Sequence, residues 1–453
     1  LAADRARWGI SADRTIDTSF TLSEDQQSAF DFFVKAVSIT DAHDQDTSCR
    51  RLYIVGEPGS GKTEVFVRYC AYALKNQPRV LILCPTGQLV ASYRQRLPES
   101  DLLRVDTIHA GLHIYREDEE LVMHSPPNML RQYDTILIDE CSQVDDPMAK
   151  KIVYALDELP QKPFVGVAAD FYQLQPVGAS GAMQSWCQKL KTITLRTIHR
   201  TKDEHLLKFL RLCRTDQPGR DDLFRFFKGR RWRKCDLSEA VQQGCRLSDE
   251  TGQPFIWLCV TNAGVDYVNQ TMLYLMNLLD DCRRYGYPAD PNAGQVSRFY
   301  AAPGVAVRLT RNLDKERGFV NGAMGHVETI LHCEDKTPIV FTVKLSATGV
   351  LVLVHPIRHD KQTFLPCTYG YATTMRRAQG ATYHHGCLYF DHCYPPEPGY
   401  GYVATSRFKS MAGVYLYGKV RRTDFIPVHS KRDRHAYQHS RSEESESDCD
   451  SAE

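Results

Sequence analysis

Short, nearly continuous apolar runs recur along the first half of the chain, separated by stretches with helical spacing. The runs "RLYIVG" (51–56), "RVLILCP" (79–85), "DTILIDE" (134–140) and "PFVGVAAD" (163–170) are rich in Val, Ile and Leu and end in small or polar residues. Runs of this kind predict strands buried on both faces. Between them, 62–74 and 147–158 carry apolar residues at helical spacing. Buried strands alternating with helices predict an α/β fold, a parallel sheet covered by helices.

The pattern changes beyond residue 200. Residues 201–250 are mostly helical and charged, and "KGRRWRKC" (228–235) reads as a solvated face in preference to a nucleic-acid contact. Strand-like runs resume at 255–260 and 304–310. At 339–357, "IVFTVKLSATGVLVLVHPI" places two β-branched runs around a turn carrying Gly349, which predicts a hairpin. Later, "TTMRRAQGAT" (373–382) sits between predicted strands at 364–371 and 386–391. After Val420 the pattern fades. The stretch "SRSEESESDCDSAE" is acidic, serine-rich and without aromatics, as expected of a disordered tail, and it offers a surface for protein partners.

A length of 453 residues exceeds one ordinary core, so two or three domains are expected. Apolar content of 42% and charged content of 25% are those of a globular protein. A net charge of +1 does not decide for or against nucleic acid, which needs a local basic groove and not a basic total. Fifteen cysteines are scattered without a C-x-x-C pair, which predicts reduced, buried thiols in an intracellular protein and no zinc site. Nucleus and mitochondrion both stay open. No apolar run is long enough to span a membrane, so no membrane partner is expected. The first thirty residues show no signal-peptide pattern. The chain begins at Leu1, not Met, as a piece of a longer protein would.

The strongest chemical signal is "GEPGSGKT" (56–63), which matches G-x-x-x-x-G-K-[ST] after a predicted strand and before a predicted helix. Gly56, Gly59 and Gly61 let the backbone wrap phosphate closely. Glu57, Pro58 and Ser60 complete the loop, whose N–H groups face the anion. Lys62 neutralises β/γ-phosphate charge, and Thr63 offers a hydroxyl to Mg²⁺. The run "ILIDE" then delivers Asp139 and Glu140 at the carboxyl end of a buried strand, where ligands bind in open α/β sheets. Asp139 is the candidate Mg²⁺ carboxylate and Glu140 the candidate general base. Together these predict hydrolysis of ATP or GTP. A P-loop kinase is open at this point.

Further motifs follow in a fixed order: "PTGQLVA" (85–91), "TIHA" (107–110), "ADFYQLQPV" (169–177), "LRTIHR" (195–200), "NLDKERGFVNGAMGHV" (312–327), "ATTMRRAQGAT" (372–382) and "YVATSR" (402–407). With them the chain resembles a superfamily 1B helicase of the petite-integration-frequency and RecD-like type, over roughly residues 22–418. The resemblance implies two RecA-like P-loop domains with parallel sheets. The first would span 21–195 with a small insert at about 110–133. The second would span 196–420 with a small β-rich insert at about 326–366. A loose lead-in at 1–20 and a disordered tail at 421–453 flank them. It implies an ATP- and Mg²⁺-dependent DNA helicase moving 5′→3′ on single-stranded DNA and acting at duplex junctions. An RNA helicase on the same scaffold and a catalytically decayed binding module are the alternatives. A kinase would leave the second α/β half without a purpose.

Carried over residue by residue, the resemblance makes Gln26 in "LSEDQ" (22–26) the reader of adenine and Gln173 the γ-phosphate sensor. Arg200 and Arg407 become the arginines that reach across a cleft to the γ-phosphate. An arginine so placed is worth roughly 10³–10⁵ in rate. Gln379 and Gly380 would face the nucleotide. Thr86, Gly87, Thr107, His109, Thr374 and Arg376 would contact the nucleic-acid backbone, where hydroxyls and N–H groups bind without reading sequence. His109 has a second reading as a buried structural histidine, and Arg377 as surface charge. The chain departs from the family pattern at Ala169-Asp170-Phe171, where Gly-Asp-Phe is usual. It departs again at Leu174-Gln175-Pro176, in place of Leu-Pro-Pro, and at Arg376-Arg377-Ala378, in place of His-Lys-Ser. None of these changes removes Lys62, Asp139, Glu140, Gln173, Arg200 or Arg407.

Overall fold

A computed structural model describes residues 15–37, 50–117, 120–123, 126–160, 162–176, 180–232, 235–276, 286–291, 298–332, 340–359, 361–392 and 396–429. The chain forms two compact units. The first gathers the residues up to Asp170, then Gln175–Arg200 and Asp266–Tyr371, and the second holds Phe171–Leu174, Thr201–Val265 and the residues from Ala372 onward.

The first unit is built on strands β1 (Arg51–Gly56), β2 (Val80–Cys84), β3 (Leu103–Thr107), β6 (Thr135–Ile138), β7 (Phe164–Ala169) and β8 (Lys191–Leu195), with β4 (Tyr115–Glu117) and β5 (Glu120–Val122) outside the sheet. They form one parallel sheet in the order β3-β2-β6-β7-β1-β8. Strands β2, β6 and β7 are buried along their whole length, which is why they read as unbroken apolar runs. Helices Glu24–Val37 and Lys62–Asn76 supply Phe33, Phe66 and Tyr69 to the core. The Phe33 ring lies 5.9 Å from Phe66, 5.4 Å from Tyr69 and 4.9 Å from Phe164. Burying each such side chain contributes about 1.5–3 kcal/mol. In the 110–133 stretch, β4 and β5 pair as a small antiparallel hairpin.

Residues 15–20 are less loose than the sequence suggests: Ile16 packs on the core, and Arg68 lies 4.7 Å over the Phe20 ring. Residues 1–14 lie outside the described residues.

The hairpin read at 339–357 is present, with Val340–Leu345 antiparallel to Leu351–Val354. It belongs to a five-stranded antiparallel sheet that is wider than 326–366. Ala306–Leu309 pairs with both Met324–His332 and Cys367–Tyr369. The 304–310 run is therefore an antiparallel strand, not part of an α/β sheet. Phe299 is stacked between Phe341 and Tyr369, at 5.7 and 4.7 Å, in its core.

This sheet groups with the first unit, whereas the sequence reading placed it after a boundary at 196 in the second domain. The contacts give the reason. Lys315 Nζ donates to Asp106 Oδ1 at 3.0 Å, and Arg104 Nη2 to Asp106 Oδ2 at 3.1 Å. A Cβ on Gly87 would stand 2.5 Å from Asn312 Oδ1, so any side chain there would require Asn312 to move.

Burial pushes the Asp106 carboxyl up, but the hydrogen bonds from Lys315 and Arg104 outweigh it and hold the group below its ordinary range. A depressed folded-state pKa contributes stability above the unfolded value of about 3.9 and loses it as the pH falls through the folded value. Asp106→Asn is therefore expected to cost on the order of 1–2 kcal/mol at pH 7, allowing for the exposure of Arg104. The gap to the parent should narrow below about pH 4. Thermal unfolding of both proteins across pH checks this, and a gap independent of pH would refute the pairing.

The second unit carries a parallel sheet in the order Ala372–Thr374, Phe255–Cys259, His385–Tyr389, Val414–Tyr417, Arg231–Trp232. The basic stretch 228–235 is thus not a plain solvated face, since part of it is built into the sheet. Arg231 and Trp232 form the edge strand, Trp232 stacks on Tyr415 at 5.0 Å, and Arg230 Nη1 donates to the Val414 carbonyl at 2.8 Å. Residues 233 and 234 lie outside the described residues.

The expected tail from 421 also begins later than predicted. Arg422–Phe425 forms one helical turn, and the buried Phe425 ring lies 5.7 Å from Phe209 and 6.4 Å from Phe227. Residues 430–453, which hold the acidic stretch, lie outside the described residues. The ten cysteines among the described residues are free thiols and most are buried; burial pushes the Cys70 thiol up to about 12. Among the described residues no helix is long and apolar enough to cross a membrane.

Candidate nucleotide site and nucleic-acid contacts

The parallel order of the first unit sets β1 and β6 on either side of β7, so their carboxyl ends open on one edge of the sheet. The loop Gly56–Thr63 leaves β1 and turns directly into the helix Lys62–Asn76. Gly59 and Gly61 hold φ of +85° and +79°, a region that disfavours any side chain. Space forbids one as well. A Cβ on Gly59 would stand 2.4 Å from Arg200 Cβ, and one on Gly61 would stand 2.2 Å from Gln26 Nε2.

Lys62 is buried at 6% exposure, and its ammonium donates to the carbonyls of Gly56 at 2.9 Å and Glu57 at 3.4 Å. A cation therefore sits over the loop. Thr63 Oγ1 donates to Asp139 Oδ2 at 2.8 Å. Asp139 is wholly buried at the end of β6. Its Oδ2 also accepts from the Tyr93 hydroxyl at 2.7 Å, and its Oδ1 accepts from the Glu140 N–H at 2.8 Å. Glu140 follows in the left-handed region at φ +51°, which is uncommon for a residue with a Cβ. Such strain persists only where neighbouring structure over-determines it, often at functional sites.

Two further candidates brace the loop. Gln26 Nε2 donates to the Ser60 carbonyl at 3.0 Å, and its Oε1 accepts from the Ser23 N–H at 3.0 Å. The glutamine expected to read adenine thus also ties the first helix to the phosphate loop. Arg200 does not stand on the second unit, where the sequence division put it. The segment after β8 runs back onto the loop, and the N–H groups of His199 and Arg200 donate to the Gly59 carbonyl at 2.7 and 3.3 Å.

The second unit brings together a separate set. Arg407, at 1% exposure, donates through Nη2 to Gln173 Oε1 at 3.2 Å and Ser406 Oγ at 2.7 Å, and through Nε to the Val403 carbonyl at 3.0 Å. Gln379 Nε2 donates to the Leu174 carbonyl at 3.2 Å. Gln173, Arg407 and the Gln-Gly motif are therefore linked within one unit. Gly380 has a φ of +82° that turns the chain beyond them.

Of the nucleic-acid candidates, Thr86 is an exposed helix cap whose Oγ1 accepts from Leu89 N–H at 3.3 Å, and Gly87 follows it. Thr107 caps the short helix Ile108–Gly111 in the same way, and His109 is exposed, not buried in a core. Thr374 is buried, and its Oγ1 accepts from Arg377 N–H at 3.3 Å. Arg376 makes a 2.5 Å ion pair with Glu397 and lies 5.8 Å over the Tyr400 ring. Arg377 is exposed, with a 3.4 Å contact to Asn262. Sequence reasoning missed Tyr93, and it counted 312–327 among the motifs without giving Asn312 or Lys315 a partner. A tyrosine on the apolar face of a helix, needing a buried partner, was the available signal for Tyr93.

Residues 42–230 match a family model described as an AAA domain. PIF1 of Xenopus laevis, named an ATP-dependent DNA helicase, is 24% identical over 311 residues, which are 62% of this chain and 46% of its own length. The RecD subunit of the RecBCD enzyme of Buchnera aphidicola is 28% identical over 153 residues, 30% of this chain and 25% of its own. The chain thus spans no more than about half the length of these curated relatives. The crystal structure of Pif1 from Bacteroides with ADP-AlF3 and single-stranded DNA aligns at a TM-score of 0.64 and 17% identity, over 94% of this chain and 98% of that one. Parts of the chain are thus similar to an AAA domain, to Pif1 and to RecD, and its fold is that of the Bacteroides Pif1 structure. Pif1 from Candida albicans aligns comparably, at a TM-score of 0.62 and 19% identity over 94% of this chain and all of that one. Like these Pif1 folds, the chain is α/β, with two RecA-like parallel sheets and a β-rich segment whose strands run from Ala306 to Tyr369.

Proposed function

We propose that this chain is an ATP-dependent DNA helicase that moves 5′→3′ on single-stranded DNA and opens duplex at junctions. The observation that carries the reading is the Thr63–Asp139 hydrogen bond, which joins the phosphate loop to the strand end bearing Glu140. A hydroxyl and a carboxylate 2.8 Å apart suit a hard divalent cation, so Thr63 and Asp139 would hold Mg²⁺. Bound there, the ion supplies charge neutralisation to the β- and γ-phosphates.

The chain's own residues do the rest. Loop N–H groups and Lys62 hold the phosphates, Glu140 takes the proton of the attacking water, and Gln26 holds the loop where adenine can be met. Arg200 and Arg407 stabilise transferring charge, and Gln173, Gln379 and Gly380 link Arg407 to the state of the nucleotide. Thr86, Gly87, Thr107, His109, Thr374 and Arg376 contact the backbone of the strand. The Arg376–Glu397 pair is compatible with this, because an exposed pair is worth only about 0–1 kcal/mol and a phosphate can displace Glu397. Support for DNA as substrate comes from relatives named as DNA helicases and from a neighbour that holds single-stranded DNA.

The test is unwinding of matched duplexes carrying a 5′ or a 3′ single-stranded tail, with ATP and Mg²⁺. Strand separation is expected only with the 5′ tail. Separation only with the 3′ tail would overturn the polarity, and stimulation of ATP turnover by RNA but not DNA would overturn the substrate.

A further inference from the structure

Asp139 receives three hydrogen bonds, and one donor has no part in the loop or its strand. Tyr93 projects from the helix Gly87–Arg96, which begins at the Thr86 cap, and its hydroxyl reaches Asp139 Oδ2 at 2.7 Å. The side chain is fully buried, and burial beside the Asp139 charge pushes the phenol well above its ordinary range, so it stays a donor. Thr63 donates to the same oxygen, while the Glu140 N–H holds Oδ1.

Each donor does something different. Thr63 stands on the loop and belongs to the cation site itself, so it cannot both coordinate and be relied on to hold the carboxylate in place. The Glu140 N–H fixes one oxygen but allows rotation about the Cβ–Cγ bond toward the other. Tyr93 closes that freedom from a rigid helix: a ring with two side-chain torsions, packed on all sides, carries its hydroxyl to the oxygen that shares Thr63. A carboxylate oriented by outer hydrogen bonds binds its metal more tightly than one left to rotate.

We infer that Tyr93 is a positioning residue that presets the Asp139 carboxylate for a divalent cation. The inference rests on the nucleotide reading of the site. It requires no titration of Tyr93 and no contact between Tyr93 and the ion. Its sequence signature is a tyrosine seven residues, two helical turns, beyond the Thr86 cap.

The experiment uses Tyr93→Phe in the full chain, which keeps the ring and removes only the donor. Binding of a ribose-labelled fluorescent ATP analogue is followed while Mg²⁺ is varied, and again in excess EDTA. The Mg²⁺ concentration for half-maximal enhancement of binding is expected to rise about tenfold, with analogue affinity in EDTA unchanged. Unaltered Mg²⁺ dependence would overturn the inference. Equal weakening with and without Mg²⁺ would also overturn it, since that is what a merely structural hydroxyl would give. If the parent chain itself shows no Mg²⁺-dependent binding, the nucleotide reading fails and this inference with it. That outcome is read on the parent and so is distinct from the first two.

Discussion

Lys62→Ala is expected to abolish ATP hydrolysis, with a fall in kcat on the order of 10²–10³ at the least, and to leave the protein folded. The ammonium is buried over the loop with two carbonyls as its partners. Those carbonyls belong to Gly56 and Glu57, inside the turn that wraps the anion, so the cation already stands where β/γ-phosphate charge has to be neutralised. Removing it leaves a backbone nest of N–H groups that still attracts phosphate but offers no mobile charge to follow it through the reaction. Binding is therefore expected to weaken less than turnover. The fold should tolerate the change, because a buried cation costs desolvation that its partners only partly return. Steady-state hydrolysis with saturating single-stranded DNA measures the first effect and thermal unfolding the second. Parent-level turnover in the variant would remove this loop from the mechanism, and a collapsed thermal midpoint would show that Lys62 serves the fold.

The loop, its lysine and the Asp-Glu strand end could be read directly from the sequence because their chemistry is local. The glycines, the cation and the carboxylates lie within a few residues of a strand whose burial is written in its composition. The same holds for β1, β2, β6 and β7, whose apolar runs mark burial, whereas the edge strands β3 and β8, mixed in polarity and partly exposed, are not read as strands. The placement of the β-rich segment could not be read that way. Its attachment to the first unit depends on Lys315 meeting Asp106 and Asn312 meeting Gly87, pairs more than two hundred residues apart in the chain. Arg200 was misplaced for a related reason. Its motif is recognisable, but its position follows from a backbone bond to Gly59 that no side-chain pattern announces. Arg376 shows the limit for surface charge: Glu397 and Tyr400 occupy it from outside its own motif. Phe425 carried the opposite lesson, since one aromatic in a fading, polar stretch was enough to seat a helical turn among Phe209 and Phe227.

Glu140→Gln should separate binding from chemistry more cleanly than any change in the loop. The substitution preserves size and leaves the backbone N–H that holds Asp139 Oδ1, so the carboxylate beside it keeps its position. It also leaves in place the Asp139 hydrogen bond and the turn of Cys141–Gln143 that flank the left-handed backbone at this residue. What it removes is the capacity to take a proton from water. A positioned general base contributes about 10²–10⁴ in rate, so kcat is expected to fall by that factor. Affinity for nucleotide should stay within a few-fold of the parent. The variant should accordingly accumulate as a nucleotide-bound complex that retains single-stranded DNA without stepping along it. Single-turnover hydrolysis together with equilibrium binding of labelled nucleotide distinguishes the possibilities. A large loss of affinity would assign Glu140 to holding the nucleotide. Unchanged turnover would mean that another group takes the proton, and would leave the strain at φ +51° with no part in catalysis.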